Sequence, residues 1–587
     1  MNYALKDEQN KKNASTWQAV KSLWPMLGGE RSILGYAGLA TLANSVITLV
    51  APLLIAHIVD TYIISKQFSG VLVFASILFG LYLAGLLTSY AQTRFMGGVG
   101  QRVLFRLRSS IFEKLQELPV AFFNANKAGD LISRINNDTD QLNQFFSRTL
   151  VQFIGSIFIM GGAGVCLLAI NWKLGLAALV PAAALVVMTR LLSPWIKKSN
   201  ATSLTSTGDL SAEVAESLNN FKVVVAFNRR DFFRQRFATA NNENYDAALG
   251  AGIANNMFAP IFSLSANIAQ LIVLAYGVYL ITQGDFTLGL LISFLSYVTS
   301  FYNPLRQLAS LWATFQTALA GWDRIAAILQ MKNEMAVLPL ELNDEVPGSA
   351  ILEFKNVSFG YTPEQRVLRN INLSLEPGKT YALVGPTGGG KTTTASLMAR
   401  LYDPTEGMVL LHGRDIRTFT PAERAQKIGF ILQEPMLFSG TVRENILYGN
   451  VGYRELSSTQ LGMVLENKGL EGLLARFDGG LEAKVETSGD SLSLGQKQLI
   501  AFMRAVLREP ELLILDEATA NIDTVTEQML EEILAKLPAT TARVIIAHRL
   551  NTIENADEIY FVNGGGVTAA GSLEHAVEML LHGKRES

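Results

Sequence analysis

Six apolar stretches without charged residues recur along the first half of the chain, and each is long enough to cross a membrane. Crossing a hydrocarbon core takes about 20 helical residues. The stretches cover about 32–59, 67–93, 151–170, 174–187 (continuing toward 192), 253–281 and 286–302. Only 17% of all residues are charged, whereas soluble domains usually contain about 25%. The pattern therefore predicts six transmembrane helices rather than the buried helices of a soluble protein.

The distribution of lysine and arginine predicts how these helices are oriented. Two long loops, between spans two and three and between spans four and five, hold nearly all of these residues: Arg94, Arg102, Arg106, Arg108, Lys114, Lys127, Arg134 and Arg148 in the first, and Arg190, Lys197, Lys198, Lys222, Arg229, Arg230, Arg234 and Arg236 in the second. The short loops hold only Lys66 and Lys173. Positive residues near span ends stay on the cytoplasmic side, so both long loops and both termini are predicted to be cytoplasmic. Helical apolar spacing in the loops predicts that spans two to five continue well beyond the bilayer.

A phosphate-binding loop follows a short apolar strand in the second half. The strand, 381–384, runs into the pattern G-x-x-x-x-G-K-T and then into a helical stretch at 393–401. The loop and its first following residue are Gly385, Pro386, Thr387, Gly388, Gly389, Gly390, Lys391, Thr392 and Thr393. Glycines let backbone N–H groups close around phosphates, and the helix N-terminus adds a favourable dipole. Lys391 is expected to meet the β and γ phosphates of ATP, and the Thr392 hydroxyl to bind Mg²⁺.

A second apolar strand, 512–515, delivers Asp516 and Glu517 at its end. Adjacent carboxylates there suit two jobs: Asp516 holds the metal through water, and Glu517 orients or deprotonates the attacking water. A solvated acidic turn is the alternative. The fold predicted is a multi-domain chain, with an all-α polytopic membrane domain followed by an α/β P-loop ATPase domain. The predicted boundaries are a cytoplasmic N-terminal segment at 1–30, six transmembrane helices and long loops at 31–330, a linker at 331–349, and a nucleotide-binding domain at 350–587.

Further segments resemble the ATP-binding cassette (ABC) transporters, in particular the half-transporter exporters of multidrug or lipid type. Leu492-Ser493-Leu494-Gly495-Gln496 is similar to the family signature Leu-Ser-Gly-Gly-Gln and opens a helix. The resemblance implies that Ser493, Gly495 and Gln496 contact nucleotide bound to a second ATPase domain. It covers nearly the whole chain and implies a type I exporter fold.

The same resemblance implies roles for isolated residues. Gln433 resembles the glutamine that senses Mg²⁺ and the γ-phosphate, and His548 resembles the switch histidine. Tyr361 matches the aromatic residue that stacks on adenine, and Asp523 sits where the D-loop aspartate falls. The predicted cofactors are therefore ATP and Mg²⁺, with Thr392, Gln433 and Asp516 around the metal.

The membrane half is also similar to exporters. The segment 122–134 resembles their first cytoplasmic loop, and Asn303-Pro304-Leu305 fits the end of span six. The resemblance implies short coupling helices near 124–130 and 213–219 that touch the ATPase domains. Closure of two ATPase domains would then swing the spans from inward-open to outward-open.

Two departures from the family pattern lie close together. Leu494 replaces the first glycine of the signature, and Thr487 stands where exporters commonly have a glutamate. Each ATP in this family lies between the phosphate loop of one domain and the signature of the other. The chain therefore resembles the half of an asymmetric exporter that pairs a sound catalytic residue, Glu517, with a weak signature. A heterodimer with a second half-transporter is favoured, and a homodimer stays possible.

The cargo is only weakly indicated. The spans hold few ionisable groups, chiefly His57, and scattered polar residues: Asn44, Asn267, Gln270, Ser293, Ser296 and Tyr297. Scarce charge favours a small amphipathic, drug-like, lipid or peptide cargo, although each polar residue could equally serve helix packing. An importer of exporter shape with a siderophore-like cargo, or an ATP-gated channel or regulator, stays open. The net charge of −2 gives no sign of nucleic-acid binding. Resemblance suggests a bacterial inner membrane.

Overall fold

The chain folds into two compact units. The computed structural model describes residues 3, 5, 24–333, 335–339, 350–362, 365–450, 452–486, 492–516, 524–546 and 554–582. A helical unit comprises Gln9–Lys114 and Gly129–Gln330, and an α/β unit comprises Met1–Glu8, Leu115–Ala128 and Met331–Ser587. The segment Leu115–Ala128, which sequence assigned to the membrane domain, thus clusters with the α/β unit. The domain boundaries stay a prediction, because residues 334 and 340–349 lie outside the described part of the chain.

Long helices dominate the helical unit, with short helices between them. In chain order the α-helices between residues 31 and 329 are α1 (Arg31–His57), α2 (Phe68–Glu117), α3 (Val120–Ala125), α4 (Ala128–Ser133), α5 (Thr139–Gln144), α6 (Leu150–Ile170), α7 (Trp172–Asn219), α8 (Phe221–Ala226), α9 (Arg230–Asn256), α10 (Phe258–Thr282) and α11 (Leu288–Leu329), of which α3 belongs to the α/β unit. Wider helical turns at Ile58–Ile63, Arg134–Asp138 and Phe145–Thr149 continue or join them, and a 3₁₀ turn, Trp24–Glu30, precedes α1. Within the described residues, six helical segments are long and apolar enough to cross a membrane, and each overlaps one of the six predicted spans.

The helices continue far beyond the apolar stretches, as predicted. Helix α2 has 50 residues and α7 has 48, which corresponds to about 75 and 72 Å at ~1.5 Å per residue. The second short helix lies elsewhere than predicted. Residues 213–219 form the last turns of α7, and the separate short helix is α8, Phe221–Ala226. Between these two helices, Asn220 leaves helical geometry with φ −99° and ψ 16°. Apolar spacing alone does not reveal this local break.

A single residue joins α6 to α7. Asn171 has extended backbone angles, and its side chain accepts a hydrogen bond from the Leu174 N–H at 3.1 Å. This N-cap satisfies a backbone donor that hydrocarbon could not hydrate. The predicted hairpin of 171–173 is therefore tighter than expected, since Trp172 already belongs to α7.

Polar side chains of α11 hold it against α1. The Tyr297 hydroxyl donates to the Leu49 carbonyl at 2.6 Å, and the Ser293 hydroxyl donates to the Pro52 carbonyl at 2.5 Å. At the start of α11, Asp60 accepts hydrogen bonds from the Thr287 hydroxyl at 2.6 Å and the Gly289 N–H at 2.8 Å. The spacing of 289, 293 and 297 places all of these contacts on one face of the helix.

The α/β unit contains two main sheets. Its strands are β1 (Leu352–Phe359), β2 (Leu368–Leu375), β3 (Thr380–Val384), β4 (Glu406–Leu411), β5 (Arg414–Asp415), β6 (Ile428–Ile431), β7 (Gly440–Thr441), β8 (Lys484–Val485), β9 (Leu512–Asp516), β10 (Ala542–Ile546), β11 (Glu558–Asn563) and β12 (Gly566–Ala569). Strands β2-β1-β4-β5 form an antiparallel sheet. The larger sheet has the order β12-β11-β3-β10-β9-β6 and is parallel except for β12. This arrangement confirms the predicted α/β ATPase fold.

Helices cover the larger sheet. They are α12 (Lys391–Met398), α13 (Pro421–Lys427), α14 (Val442–Ile446), α15 (Ser458–Asn467), α16 (Glu471–Leu474), α17 (Leu494–Val506), α18 (Thr524–Ala535) and α19 (Leu573–His582). One apolar core packs α12 against the antiparallel sheet. A second core contains residues of the five helices α14, α15, α16, α17 and α18 and lies at the edge of the parallel sheet that is formed by β6 and β9. The phosphate loop and the signature segment therefore stand on different cores.

Candidate nucleotide-binding site

The phosphate loop forms the turn from β3 to α12. Strand β3 ends at Val384, and α12 begins at Lys391 with Gly390 as its N-cap. Gly390 has φ +112°, a conformation that L side chains rarely adopt. The N-terminus of α12 therefore begins directly at the loop, which is the arrangement that binds anions.

Gly385 allows the loop to pass close to the neighbouring strand. A Cβ at this position would lie 2.0 Å from the Val562 carbonyl oxygen of β11. That oxygen belongs to a paired strand, since Phe561 pairs with Val384. Only glycine fits at 385 without a shift of the sheet.

Lys391 is held inside the loop that it follows. Its Nζ donates to the Gly385 carbonyl at 2.9 Å and to the Pro386 carbonyl at 3.0 Å. The residue is buried, so its charge acts in a poorly hydrated place where electrostatic attraction to phosphate is strong.

Thr392 and Asp516 meet at the centre of the site. The Thr392 hydroxyl donates to the Asp516 Oδ1 at 3.5 Å, and Asp516 is only 2% exposed at the end of β9. Mg²⁺ prefers oxygen ligands and is usually bound through one or two carboxylates, phosphates and waters. A hydroxyl and a carboxylate that converge here fit such an ion. The described residues contain no cluster of three His, Cys, Asp or Glu side chains suited to a metal.

Other predicted residues follow neighbouring strands at the same edge of the sheet. Gln433 comes two residues after β6, whose Ile431 pairs with Leu515 of β9, and it is exposed. Strand β10 ends at Ile546, two residues before His548. Parallel strands end on one side of a sheet, which is where ligands bind in such folds.

Several predicted residues lie outside the described part of the chain. They are Glu517, Asp523, His548 and Thr487. Their strand context is described only up to Asp516 and Ile546.

Tyr361 bridges the loop and an aromatic cluster. Its hydroxyl lies 3.0 Å from the Thr393 hydroxyl. Its ring packs edge-on against Phe359, with centroids 5.0 Å apart, and against Tyr402, with centroids 5.2 Å apart. The ring is still 47% exposed, so one surface is available to a ligand. Sequence reasoning missed Tyr402, because nothing in the local pattern around it marks a nucleotide site.

The signature residues do not join this cluster. Ser493 is the N-cap of α17 in a capping box with Gln496: the Gln496 N–H donates to the Ser493 hydroxyl at 3.2 Å, and the Gln496 Oε1 accepts from the Ser493 N–H at 2.9 Å. Gly495 lies in the first turn, and Leu494 is 42% exposed beside it. Among the hydrogen bonds of the described residues, none links Ser493, Gly495 or Gln496 to 385–393. Ser493 and Leu494 at the N-terminus of α17 are both exposed.

Comparisons with known proteins agree with this geometry. The family described as ABC transporter transmembrane region matches residues 34–305, and the family described as ABC transporter matches residues 368–520. Over 579 residues, 97% of this chain and 94% of the relative, the chain is 32% identical to an uncharacterized ABC transporter ATP-binding protein of Bacillus subtilis. The chain belongs to the ABC transporter family. It is a half-transporter of the exporter type, with an ATPase domain that couples ATP hydrolysis to transport.

Other ABC transporters cover nearly the same length. The chain is 30% identical to an ATP-dependent lipid A-core flippase of Salmonella typhimurium, over 98% of this chain and 99% of the flippase. It is 33% identical to a fatty acid ABC transporter ATP-binding/permease protein of Mycobacterium tuberculosis, over 84% of this chain and 77% of that protein. A bacterial Atm1-family ABC exporter solved with ATP bound superimposes with a TM-score of 0.76 and 26% identity, over 95% of this chain and 96% of the exporter. These findings confirm a multi-pass integral membrane protein that exports its cargo with ATP.

Proposed function

We propose that the chain exports a small amphipathic molecule of the lipid class as half of a heterodimer. The relatives named for lipid A-core and fatty acid transport support a lipid-like cargo. The scarcity of ionisable side chains in the spans is in line with that class. A drug-like molecule or a peptide is the alternative cargo that the assay below separates.

The catalytic roles rest on the convergence of Thr392 and Asp516. These two side chains would hold Mg²⁺ together with Gln433, and the ion would neutralise charge on the phosphates. Lys391 and the loop backbone bind and orient the phosphates, while Ser493 faces the phosphates bound by the partner domain. Glu517, directly after Asp516, takes a proton from the attacking water, and His548 positions that water. Asp523 contributes to nucleotide binding across the dimer interface.

The heterodimer rests on Leu494. A helix N-terminus attracts a phosphate because its first N–H groups are unpaired. At the start of α17, the exposed Leu494 side chain stands where the family has glycine. The partner's phosphates would therefore meet an obstructed signature. A partner with a regular signature would complete the site that contains Glu517.

The remaining proposals concern placement. The lysine and arginine distribution supports cytoplasmic long loops, termini and ATPase domain. The bacterial relatives support a cell inner membrane. The domain boundaries 30, 330 and 349 are proposed on composition.

The deciding experiment measures ATPase rate and binding of a fluorescent ATP analogue by the chain alone in lipid nanodiscs. The variants are Glu517→Gln, Leu494→Gly and both together. The wild type is expected to bind the analogue yet hydrolyse no faster than Glu517→Gln. Leu494→Gly is expected to restore turnover, and the double variant to lose it about 10²-fold, the usual value of a general base.

Two outcomes would contradict the proposal. Wild-type turnover that disappears in Glu517→Gln would indicate a working homodimer. Turnover of the double variant close to that of Leu494→Gly would exclude Glu517 as the base. Cargo class is tested on the active form by stimulation with lipid A-core, fatty acid, a cationic drug or a peptide, and stimulation by the drug or peptide alone would exclude the lipid.

A further inference from the structure

The short helix α3 belongs to the α/β unit although it lies between two membrane spans in sequence. Phe122 of this helix is fully buried. The Asn126 side chain donates to the carbonyls of Phe122 at 2.8 Å and Tyr3 at 2.9 Å, and accepts from the Leu5 N–H at 3.1 Å. These contacts tie the end of α3 to residues 3 and 5, which belong to the same unit.

From that position α3 reaches the aromatic cluster beside the phosphate loop. The Asn124 Nδ2 donates to the Tyr402 hydroxyl oxygen at 2.6 Å. The Tyr402 ring meets the Tyr361 ring at an interplanar angle of 85°. The Tyr361 hydroxyl in turn lies 3.0 Å from the hydroxyl of Thr393, the third residue of α12. These contacts connect α3 to the first turn of α12, the helix that follows the phosphate loop.

The Tyr402 ring limits the orientations open to Tyr361. Aromatic pairs prefer edge-to-face or offset arrangements, so a ring that is itself held sets the angle of its neighbour. Tyr402 is held at both ends, by Phe359 against its ring at 5.5 Å between centroids and by Asn124 at its hydroxyl. Tyr361, being half exposed, has only Phe359, Tyr402 and Thr393 to orient it among the aromatic and hydrogen-bond contacts described.

We propose that Tyr402 is a positioning residue for Tyr361 and that Asn124 sets Tyr402, so that the first long loop controls the affinity of the site for ATP. The proposal rests on the proposed stacking of Tyr361 on adenine. When α3 is seated, Tyr361 is pre-oriented, and binding does not have to order it. When α3 moves away, the Tyr402 hydroxyl loses its restraint and Tyr361 loses a defined angle. By linkage, ATP binding favours a seated α3 to the same extent.

The test measures the Kd of a fluorescent ATP analogue for the full-length chain in nanodiscs. Asn124→Ala and Tyr402→Phe each remove the same hydrogen bond and leave both rings in place. Each is expected to weaken binding about fivefold, the usual effect of one neutral hydrogen bond. The double variant is expected to weaken binding about fivefold too, rather than about 25-fold, because the two changes delete one interaction. Lys127→Ala, an exposed neighbour on the same loop, serves as the control with unchanged Kd.

A merely structural role would give a different result. Both variants would then bind the analogue as the wild type does, or would lower thermal stability without a matching loss of affinity, and either finding would overturn the proposal. Effects that multiply in the double variant would do the same. Tyr361→Ala tests the adenine role of Tyr361 separately from its link to α3. If Tyr361→Ala weakens binding and Asn124→Ala does not, only the link to α3 is refuted. If Tyr361→Ala leaves binding unchanged, the adenine role of Tyr361 is refuted as well.

Discussion

Removal of Asp138 is expected to destabilise the helical unit more than removal of any exposed carboxylate. Asp138 lies at the end of the turn Arg134–Asp138 and accepts two hydrogen bonds from Arg324 of α11, one from Nε to Oδ2 at 2.8 Å and one from Nη2 to Oδ1. The pair joins positions 186 residues apart. The Asp138 side chain is 3% exposed and that of Arg324 is 38% exposed.

The size of the effect follows from what is left behind. Deleting one partner of a fully buried ion pair costs about 3–5 kcal/mol, because the other charge stays buried and unpaired. Arg324 is partly hydrated, so we expect about 2 kcal/mol for Asp138→Ala, between the buried value and the ~0–1 kcal/mol of surface pairs. If that energy is lost from the native state alone, unfolding accelerates about 30-fold.

The assay follows the half-life of monodisperse full-length chain at one elevated temperature, after reconstitution. The control is Asp231→Ala, which removes the exposed pair with Arg234, where the carboxylate is 97% exposed; its half-life should match the wild type. Arg324→Ala should shorten the half-life as well, and the double variant should be no worse than the poorer single variant, because the pair is one interaction. A half-life of Asp138→Ala within a factor of two of Asp231→Ala would refute the reasoning.

Two further predictions concern the α/β unit. Gly385→Ala should abolish binding of an ATP analogue in a binding titration, because its Cβ would lie 2.0 Å from the Val562 carbonyl oxygen; retained affinity would contradict the close approach. Burial raises the pKa of Glu511, but the hydrogen bond from Lys427 and the charge of His412 outweigh it, and the net pKa is lowered below 4.5. The charged form therefore stabilises the fold above pH 4.5, so the difference in Tm between wild type and Glu511→Gln should shrink as pH falls below 4.5, and a constant difference would disprove this account.

Sequence reasoning predicted those parts of the molecule that depend on local pattern. The six spans follow from apolar length, and the turn around Gly390 follows from the spacing of glycines between a strand and a helix. It could not predict interactions between distant positions. The pairing of Asp138 with Arg324 and the contact of Asn124 with Tyr402 join residues 186 and 278 positions apart. Nothing in either local segment marks the partner, because such contacts are created by the packing of whole elements.

The prediction of where the second short helix lies was wrong for a related reason. Residues 213–219 continue the helical periodicity of α7, so spacing gives no end there. The end comes at Asn220, where the backbone leaves helical geometry and the side chain donates to the Glu216 carbonyl at 3.0 Å. The Asn220 N–H donates to the same Glu216 carbonyl at 3.1 Å, so the asparagine is bonded to the last turn of α7 through both its backbone and its side chain. The tendency of a single asparagine to end a helix is a weaker sequence signal than the helical spacing of the apolar residues around it.

For some polar residues of the spans, the structure decides between cargo contact and helix packing, two roles that the sequence does not distinguish. Ser293 and Tyr297 could have faced a cargo or held helices together. Both are buried, and both hydroxyls donate to backbone carbonyls of α1. A hydroxyl in an apolar surrounding needs a partner, and these two already have one on a neighbouring helix. Gln270 likewise donates to Thr299 at 3.1 Å. These three side chains therefore contribute to helix packing, which is the alternative that the sequence left open for each of them.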